Sequence, residues 1–225
     1  MHSYFELIYS LMGAIGVVSF AISGAMTALK KKMDLFGVLL LAFVTSFGGG
    51  LLRDLIIGRI PPSFLENTFY LLIVLSVTTL STVFVSYILK HMNIITIFDT
   101  IGLGIFTALG TYEGFTAGFN FAGCILTGFL TATAGGMLRD IFAAEIPAIL
   151  RRGIGLYATA AILGATFLTW MLRTDLANDW AIMLCVCLVA SIRFISIKFN
   201  LDLPEVPYPA APSADPFKQS KEKSV

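Results

Sequence analysis

The chain alternates between long apolar stretches and short polar connections. A helix of about 20 apolar residues spans the hydrocarbon core of a bilayer, and each stretch is close to that length or longer. The pattern therefore predicts an all-α membrane protein with seven transmembrane helices. The seven predicted spans are residues 4–28, 35–57, 68–89, 94–112, 119–143, 153–172 and 178–198.

The first six spans form an internal repeat. When the chain is shifted by 86 residues, it aligns with itself without a gap. An ungapped match over so many glycines, charges and prolines indicates duplication. The matched pairs include Gly16 with Gly102, Phe20 with Phe106, Gly24 with Gly110, Gly49 with Gly135, Arg53 with Arg139, Asp54 with Asp140, and Pro61 with Pro147.

Each copy of the repeat contains three spans. Because three is odd, the second copy enters the membrane from the opposite side, and inverted repeats of this kind are typical of transporters and channels. We predict a first three-helix repeat in residues 1–90 and a second, inverted repeat in residues 91–175. A seventh helix without a counterpart follows in residues 176–200, and a disordered cytoplasmic tail in residues 201–225.

The composition agrees with a membrane protein. Charged residues make up 13% of the chain and the mean hydropathy is +0.86, whereas soluble domains carry about 25% charged residues. The three cysteines lie in apolar spans and the two histidines form no cluster, so we expect no metal and no cofactor. No catalytic constellation is visible, so we expect no enzyme, and nothing indicates nucleic-acid binding.

The basic residues predict the orientation. Of the 15 basic residues, 12 lie in or beside the loops after spans one, three and five or in the C-terminal part of the chain. Basic loops remain cytoplasmic, so we expect the N-terminus outside and the C-terminus inside. The opposite side carries only Arg53, Arg59 and Arg173.

Glycine clusters interrupt the second and fifth spans. A glycine destabilises a helix interior by about 1 kcal/mol relative to alanine, so we predict that both helices are broken there. Backbone that is not helical survives at membrane depth only in contact with protein or a wet cavity, which favours a polar path. The alternative is a close helix contact at a glycine patch. The glycines are Gly48, Gly49 and Gly50 in the second span and Gly135 and Gly136 in the fifth.

Each glycine cluster is followed by an Arg-Asp pair. A charge at the centre of a membrane helix costs about 2.5–3.5 kcal/mol, and adjacent residues do not face each other on a helix. We therefore expect Arg53 to pair with Asp140, and Arg139 with Asp54, across the pseudo-twofold axis. The alternative is that each pair is solvated at the membrane surface.

Three further polar side chains lie near these segments. Thr45 and Thr131 precede the glycine clusters, where their hydroxyls are suited to replacing ion hydration or to satisfying freed carbonyls. Asp99 begins the fourth span and is placed either in the path or at the membrane surface.

Both repeats resemble the bacterial and archaeal TRIC (trimeric intracellular cation) channels. The resemblance covers roughly residues 10–198, and the doubled GG-x-LRD is its most specific element. The family has also been labelled a glycine-transporter domain family. The matching segments are FAISGAMTALKKKMDLFGVLLLAFVTSFGGGLLRD in the first repeat, and FDTIGLGIFTALG and GCILTGFLTATAGGMLRD in the second.

The resemblance implies a homotrimer in a prokaryotic inner membrane, with one potassium-permeable pore per protomer. Potassium and sodium ions and membrane lipids are the implied partners. The pore is implied beside the two glycine-rich helices, with Arg53 and Arg139 nearby. A secondary transporter for a small zwitterion such as glycine remains the alternative, because helix N-termini also hold carboxylates.

Overall fold

The structure is a computed structural model that describes residues 2–85, 93–151, 153–174 and 180–204. Within these residues it contains helices and no strand, which confirms the all-α prediction. A short 3₁₀ helix occupies Ala148–Leu150. The α-helices are α1 (His2–Lys30), α2 (Leu35–Ile57), α3 (Ser63–Glu66), α4 (Thr68–Val83), α5 (Asn93–Thr116), α6 (Phe121–Phe142), α7 (Tyr157–Arg173) and α8 (Ala181–Lys198).

Five helices are long and apolar enough to cross a membrane, namely α1, α2, α5, α6 and α8. The membrane class is therefore confirmed. The count of seven spans is not, because α4 has 16 residues and α7 has 17. The end of the third predicted span, residues 86–89, and most of the predicted tail, residues 205–225, lie outside the described residues.

Helices α2 and α6 begin and end in equivalent ways. The side chains of Asp34 and Asn120 cap their N-termini, each accepting a hydrogen bond of 2.8 Å from the backbone N–H three residues later. Such caps satisfy donors that have no partner within the helix. After the helix ends, Gly58 and Ala144 both have left-handed backbone, with φ of 75° and 54°. Both pairs are 86 residues apart (120 − 34 and 144 − 58).

The predicted breaks at the glycines are not found, because α2 continues through residues 48–50 and α6 through residues 135–136. The physical reason is that the glycines are packed against a neighbouring helix. A membrane interior provides no water for freed backbone groups, so a continuous helix costs less than a break even with several glycines. The alternative of a close helix contact is the one that the structure shows.

Gly49 and Gly135 are the contact points between α2 and α6. A Cβ atom on Gly49 would collide with the carbonyl oxygen of Thr131, and a Cβ on Gly135 would collide with the carbonyl oxygen of Thr45. The two contacts exchange under the repeat relation, since 49 and 135, like 45 and 131, are 86 positions apart. Small residues permit this close approach between membrane helices.

An aromatic pair lies beside this contact. Phe20 on α1 and Phe106 on α5 are repeat equivalents, and their ring centroids are 5.0 Å apart. Phe20 also lies beside Gly135, 3.6 Å from the position of a Cβ atom there. We call the six residues at this level the crossing layer: Phe20, Thr45, Gly49, Phe106, Thr131 and Gly135.

The crossing layer predicts which glycines tolerate a side chain. We expect Gly49→Ala and Gly135→Ala each to destabilise the protein by about 1–3 kcal/mol, because overpacking forces the backbones apart. The matched control is Gly50→Ala on the same helix, since a Cβ there meets only the Arg53 guanidinium, at 3.8 Å. It should be neutral or stabilising by up to about 1 kcal/mol. Thermal unfolding of the purified variants in one detergent checks this, and equal loss in all three would contradict the contact.

Candidate functional site: two charged cavities at opposite ends of α1

Two cavities lie on either side of the crossing layer. The Arg53 cavity, of about 250 Å³, is bordered by Tyr9 in the first half of α1. The Arg139 cavity, of about 200 Å³, is bordered by Thr27 near the other end of α1. Tyr9 and Thr27 are 18 positions apart (27 − 9), which corresponds to about 27 Å of helix at 1.5 Å per residue. The cavities therefore face opposite ends of the protein.

In the Arg53 cavity, the arginine binds the neighbouring Asp54. The Nε and Nη2 atoms of Arg53 donate to Oδ1 of Asp54 at 2.9 and 2.8 Å, and Nη2 also donates to the Ser63 hydroxyl at 2.9 Å. Oδ2 of Asp54 accepts hydrogen bonds from the backbone N–H and the hydroxyl of Ser63, both at 2.7 Å. The network joins the end of α2 to the start of α3.

In the Arg139 cavity, the arginine joins three helices. Its Nε donates to Oδ1 of Asp140 at 2.8 Å on α6, and its Nη1 donates to Oδ1 of Asp99 on α5 at 2.6 Å. Nη1 also donates to the hydroxyl of Ser23 on α1 at 2.5 Å. Oδ2 of Asp140 accepts from the backbone N–H of Ala148 at 2.7 Å. All three charged side chains are buried.

The predicted pairs of Arg53 with Asp140 and of Arg139 with Asp54 are therefore wrong. Each arginine side chain is long enough to fold back onto the carboxylate next to it in sequence. Each carboxylate is in turn fixed by a backbone N–H in the segment after its own helix. Arg53 and Asp140 lie in different cavities with the crossing layer between them, so they do not meet.

The two arginines differ in their surroundings because the repeat is imperfect. Asp99 has Gly13 as its repeat equivalent, and Ser23 has Leu109. Arg53 consequently has no second carboxylate like the one that Asp99 offers to Arg139. A buried cation with two acids is much better compensated than one with a single acid.

The Arg53 cavity instead has a charged entrance. The hydroxyl of Tyr9 donates to Glu113 at 2.5 Å. Arg59 binds Glu66 at 2.5 Å and lies 4.0 Å from Glu113. These four side chains bring α1, α5 and the segment after α2 together around the cavity.

The entrance of the Arg139 cavity carries its own ion pairs. Glu145 binds Lys31 at 2.8 Å and Arg151 at 3.0 Å. The hydrogen bond from Lys31, opposed by partial burial and assisted by Arg151, lowers the pKa of the Glu145 carboxyl below its ordinary value. Glu145 is therefore ionised at neutral pH. Because these side chains are partly exposed, the pairs add little stability.

The predicted site residues divide into three groups. Gly50 and Arg53 border one cavity, and Asp54 lies behind Arg53; Asp99, Arg139 and Asp140 border the other. Thr45, Thr131, Gly49 and Gly135 form the crossing layer, and Gly48 packs on Leu138. A Cβ on Gly136 would lie 3.2 Å from the Tyr157 hydroxyl and 3.7 Å from both Arg139 and Asp99.

Thr45 and Thr131 have a different role from the one expected. Each hydroxyl donates to a carbonyl of its own helix four residues earlier, at 2.5 and 2.6 Å. Both residues are almost completely buried. They face Gly24 and Gly110, where an added Cβ would collide with their side chains. In this structure they are packing residues.

Sequence reasoning missed the side chains that make the two cavities unequal, above all Glu113 and Arg193. Both are ionisable residues in or beside an apolar run, which by itself indicates a functional position. The repeat gave no support, because Glu113 is equivalent to Thr27, and Arg193 lies in the helix that has no counterpart.

An all-helical membrane fold with two inverted repeats and charged cavities on both sides of a packed layer defines a membrane channel or transporter. A family model described as Glycine transporter matches residues 10–86 and 96–173. The two matches begin 86 residues apart (96 − 10), which is the interval of the repeat. The chain belongs to this family, which is the TRIC channel family.

Related proteins are similar over most of their length. A UPF0126 membrane protein of Deinococcus radiodurans is 36% identical over 84% of this chain and 88% of its own. The UPF0126 inner membrane protein YadS of Escherichia coli K12 is 33% identical over 84% of this chain and 92% of its own. These relatives are named as membrane proteins without a stated activity.

Solved structures with this fold are cation channels. One TRIC cation channel superposes with a TM-score of 0.83 at 32% identity, over 90% of this chain and 98% of that one. The TRIC orthologue of Rhodobacter sphaeroides has a TM-score of 0.79 at 32% identity, over 86% of this chain and 99% of its own. The structural neighbours are therefore channels rather than enzymes, and they support a cation channel.

The charge networks predict which residues are energetically coupled. In a double-mutant cycle, Arg139→Gln and Asp99→Asn should show a coupling energy of about 1 kcal/mol or more, because the pair is buried and hydrogen-bonded. The control cycle of Arg53→Gln with Asp140→Asn should be additive within about 0.5 kcal/mol, because these residues lie in different cavities.

The measurement is the free energy of unfolding in mixed detergent micelles for both cycles. Coupling between Arg53 and Asp140 without coupling between Arg139 and Asp99 would restore the pairing across the pseudo-twofold axis.

Proposed function

We propose that the protein is a channel for monovalent cations, permeable to potassium and sodium, with one pore in each protomer of a homotrimer. The observation that carries the proposal is the pair of cavities at opposite ends of a single chain. A path that connects them runs within the protomer and needs no second subunit. The structural neighbours, which are cation channels, support the same function.

Both cavities offer carboxylates to an entering cation. Glu66 and Glu113 border the Arg53 cavity, and Asp99, Asp140 and Glu145 border the Arg139 cavity. Carboxylates at the ends of a path raise the local cation concentration. The arginines are compensated by these acids to different degrees, and they leave the two entrances with different electrostatic fields.

The crossing layer is the proposed gate. Phe20 is 1% exposed and Thr45 is fully buried, so the layer is packed. Because the α2–α6 contact contains backbone and glycines instead of interlocking side chains, the two helices need to move only slightly to separate. The glycines thus serve the path by permitting movement between unbroken helices, and we retain Gly48, Gly49, Gly50, Gly135 and Gly136 as residues of the pore.

The membrane arrangement belongs to the same proposal. The relative named an inner membrane protein supports an inner-membrane location. With the N-terminus outside, as the basic residues indicate, the Arg53 cavity faces the periplasm and the Arg139 cavity the cytoplasm. The proposed units remain residues 1–90, 91–175, 176–200 and 201–225, and lipids surround the trimer.

A transporter of a small zwitterion remains the second candidate, because the Arg53 cavity holds guanidinium groups and carboxylates together. Arg53 and Arg59 are suited to a carboxylate, and Glu113 to an amine. The family description as a glycine transporter points the same way. Such a protein moves one substrate per conformational cycle, whereas an open channel passes many ions.

Recording from purified protein in planar bilayers separates the two candidates. We expect discrete current steps whose reversal potential follows the potassium gradient. Glu113→Gln should lower the unitary current, because it removes a carboxylate from one entrance, while the surface control Glu6→Gln should leave it unchanged. Saturable glycine counterflow in proteoliposomes, with no current steps, would reject the channel and favour the transporter.

A further inference from the structure

Arg193 is a buried cation that the channel mechanism does not use. It lies on α8 and is 1% exposed. Its Nη1 donates to the backbone carbonyl of Ile154 at 2.6 Å, and its guanidinium carbon lies 4.8 Å from the centre of the Tyr157 ring. Among the described residues, Arg193 forms no ion pair. Its Nε has no hydrogen-bond partner.

This arrangement is costly without a further partner. A buried charge is tolerated in a membrane protein when it is paired or hydrogen-bonded. The carbonyl of Ile154 and the ring of Tyr157 are neutral, so neither compensates the full charge. An unsatisfied buried donor on a cationic side chain costs more than one on a neutral group.

Arg193 borders the Arg139 cavity, and that cavity carries an excess of positive charge. Its described lining contains four cationic side chains and three carboxylates. Arg139 is bound by Asp99 and Asp140, and Arg151 by Glu145. The carboxylates are thus occupied by other cations. The four cations are Lys30, Arg139, Arg151 and Arg193, and the carboxylates are Asp99, Asp140 and Glu145.

We propose that the Arg139 cavity binds one small monovalent anion, such as chloride, at the Nε of Arg193. The lining leaves one positive charge in excess (four minus three), which one monovalent anion balances. The volume of about 200 Å³ is ample for a partly hydrated halide. A charge-assisted hydrogen bond from Nε then satisfies the donor that has no protein partner.

The repeat explains why only one cavity has this site. Arg193 comes from the seventh helix, which has no equivalent beside the Arg53 cavity. That cavity has two arginines, Arg53 and Arg59, and two glutamates, Glu66 and Glu113, in its lining. Its charges therefore balance without an added anion.

Thermal unfolding of the purified full-length protein tests the site. At constant potassium concentration and ionic strength, replacing gluconate by chloride should raise the Tm saturably, because a ligand that binds only the folded state stabilises it. Arg193→Lys keeps the charge but removes the Nε donor, and it should raise the half-saturating chloride concentration at least about tenfold. Arg151→Gln is the control in the same cavity and should leave that concentration within about twofold, because Arg151 is already paired with Glu145.

Bromide-soaked crystals of the full-length protein provide a second readout that needs no variant. An anomalous peak within hydrogen-bonding distance of the Arg193 Nε supports the site. A peak that is absent there, together with a Tm that does not depend on chloride, would overturn the proposal and leave water as the partner of Arg193. An equal chloride response in wild type and Arg193→Lys would also overturn it, since the anion would then bind elsewhere.

Discussion

The close contact between α2 and α6 is the constraint on which the rest of the structure depends. At Gly49 and Gly135 each helix touches the backbone of the other, so neither position has room for a single methyl group. This contact fixes the distance between the two repeats. It also separates the cavities, because the packed layer that contains it also includes the rings of Phe20 and Phe106.

The charged residues are arranged around that contact. Arg53 and Arg139 follow their glycines by the same number of positions, so one lies on each side of the layer. Each is neutralised locally, which keeps the cost of burial low without a bond across the layer. A salt bridge between the repeats at these positions would tie the two helices together. Its absence among the described residues leaves their contact free to change.

Much of the fold was predictable because it follows from periodicity and self-similarity. The apolar runs predicted the helices, and the shift of 86 residues predicted the equivalence of the caps at Asp34 and Asn120 and of the arginines. Glycine clusters were ambiguous, because glycine both weakens a helix and permits close packing, and only the neighbouring helix decides between the two. The pairing of the arginines depended on how far a side chain folds back, which spacing does not reveal. Glu113 and Arg193 were missed because the repeat has no equivalent acid or base for either.

Labelling of Gly50→Cys in spheroplasts tests the central claim that a cation path within the protomer passes through the Arg53 cavity. Gly50 borders this cavity, and a side chain there meets only Arg53. In a background with exposed Cys187 replaced by serine, a membrane-impermeant cationic thiol reagent added outside should abolish most of the potassium current. Leu55→Cys on the same helix, which does not border the cavity, should be unaffected. Full current after complete labelling of Gly50→Cys would contradict the account.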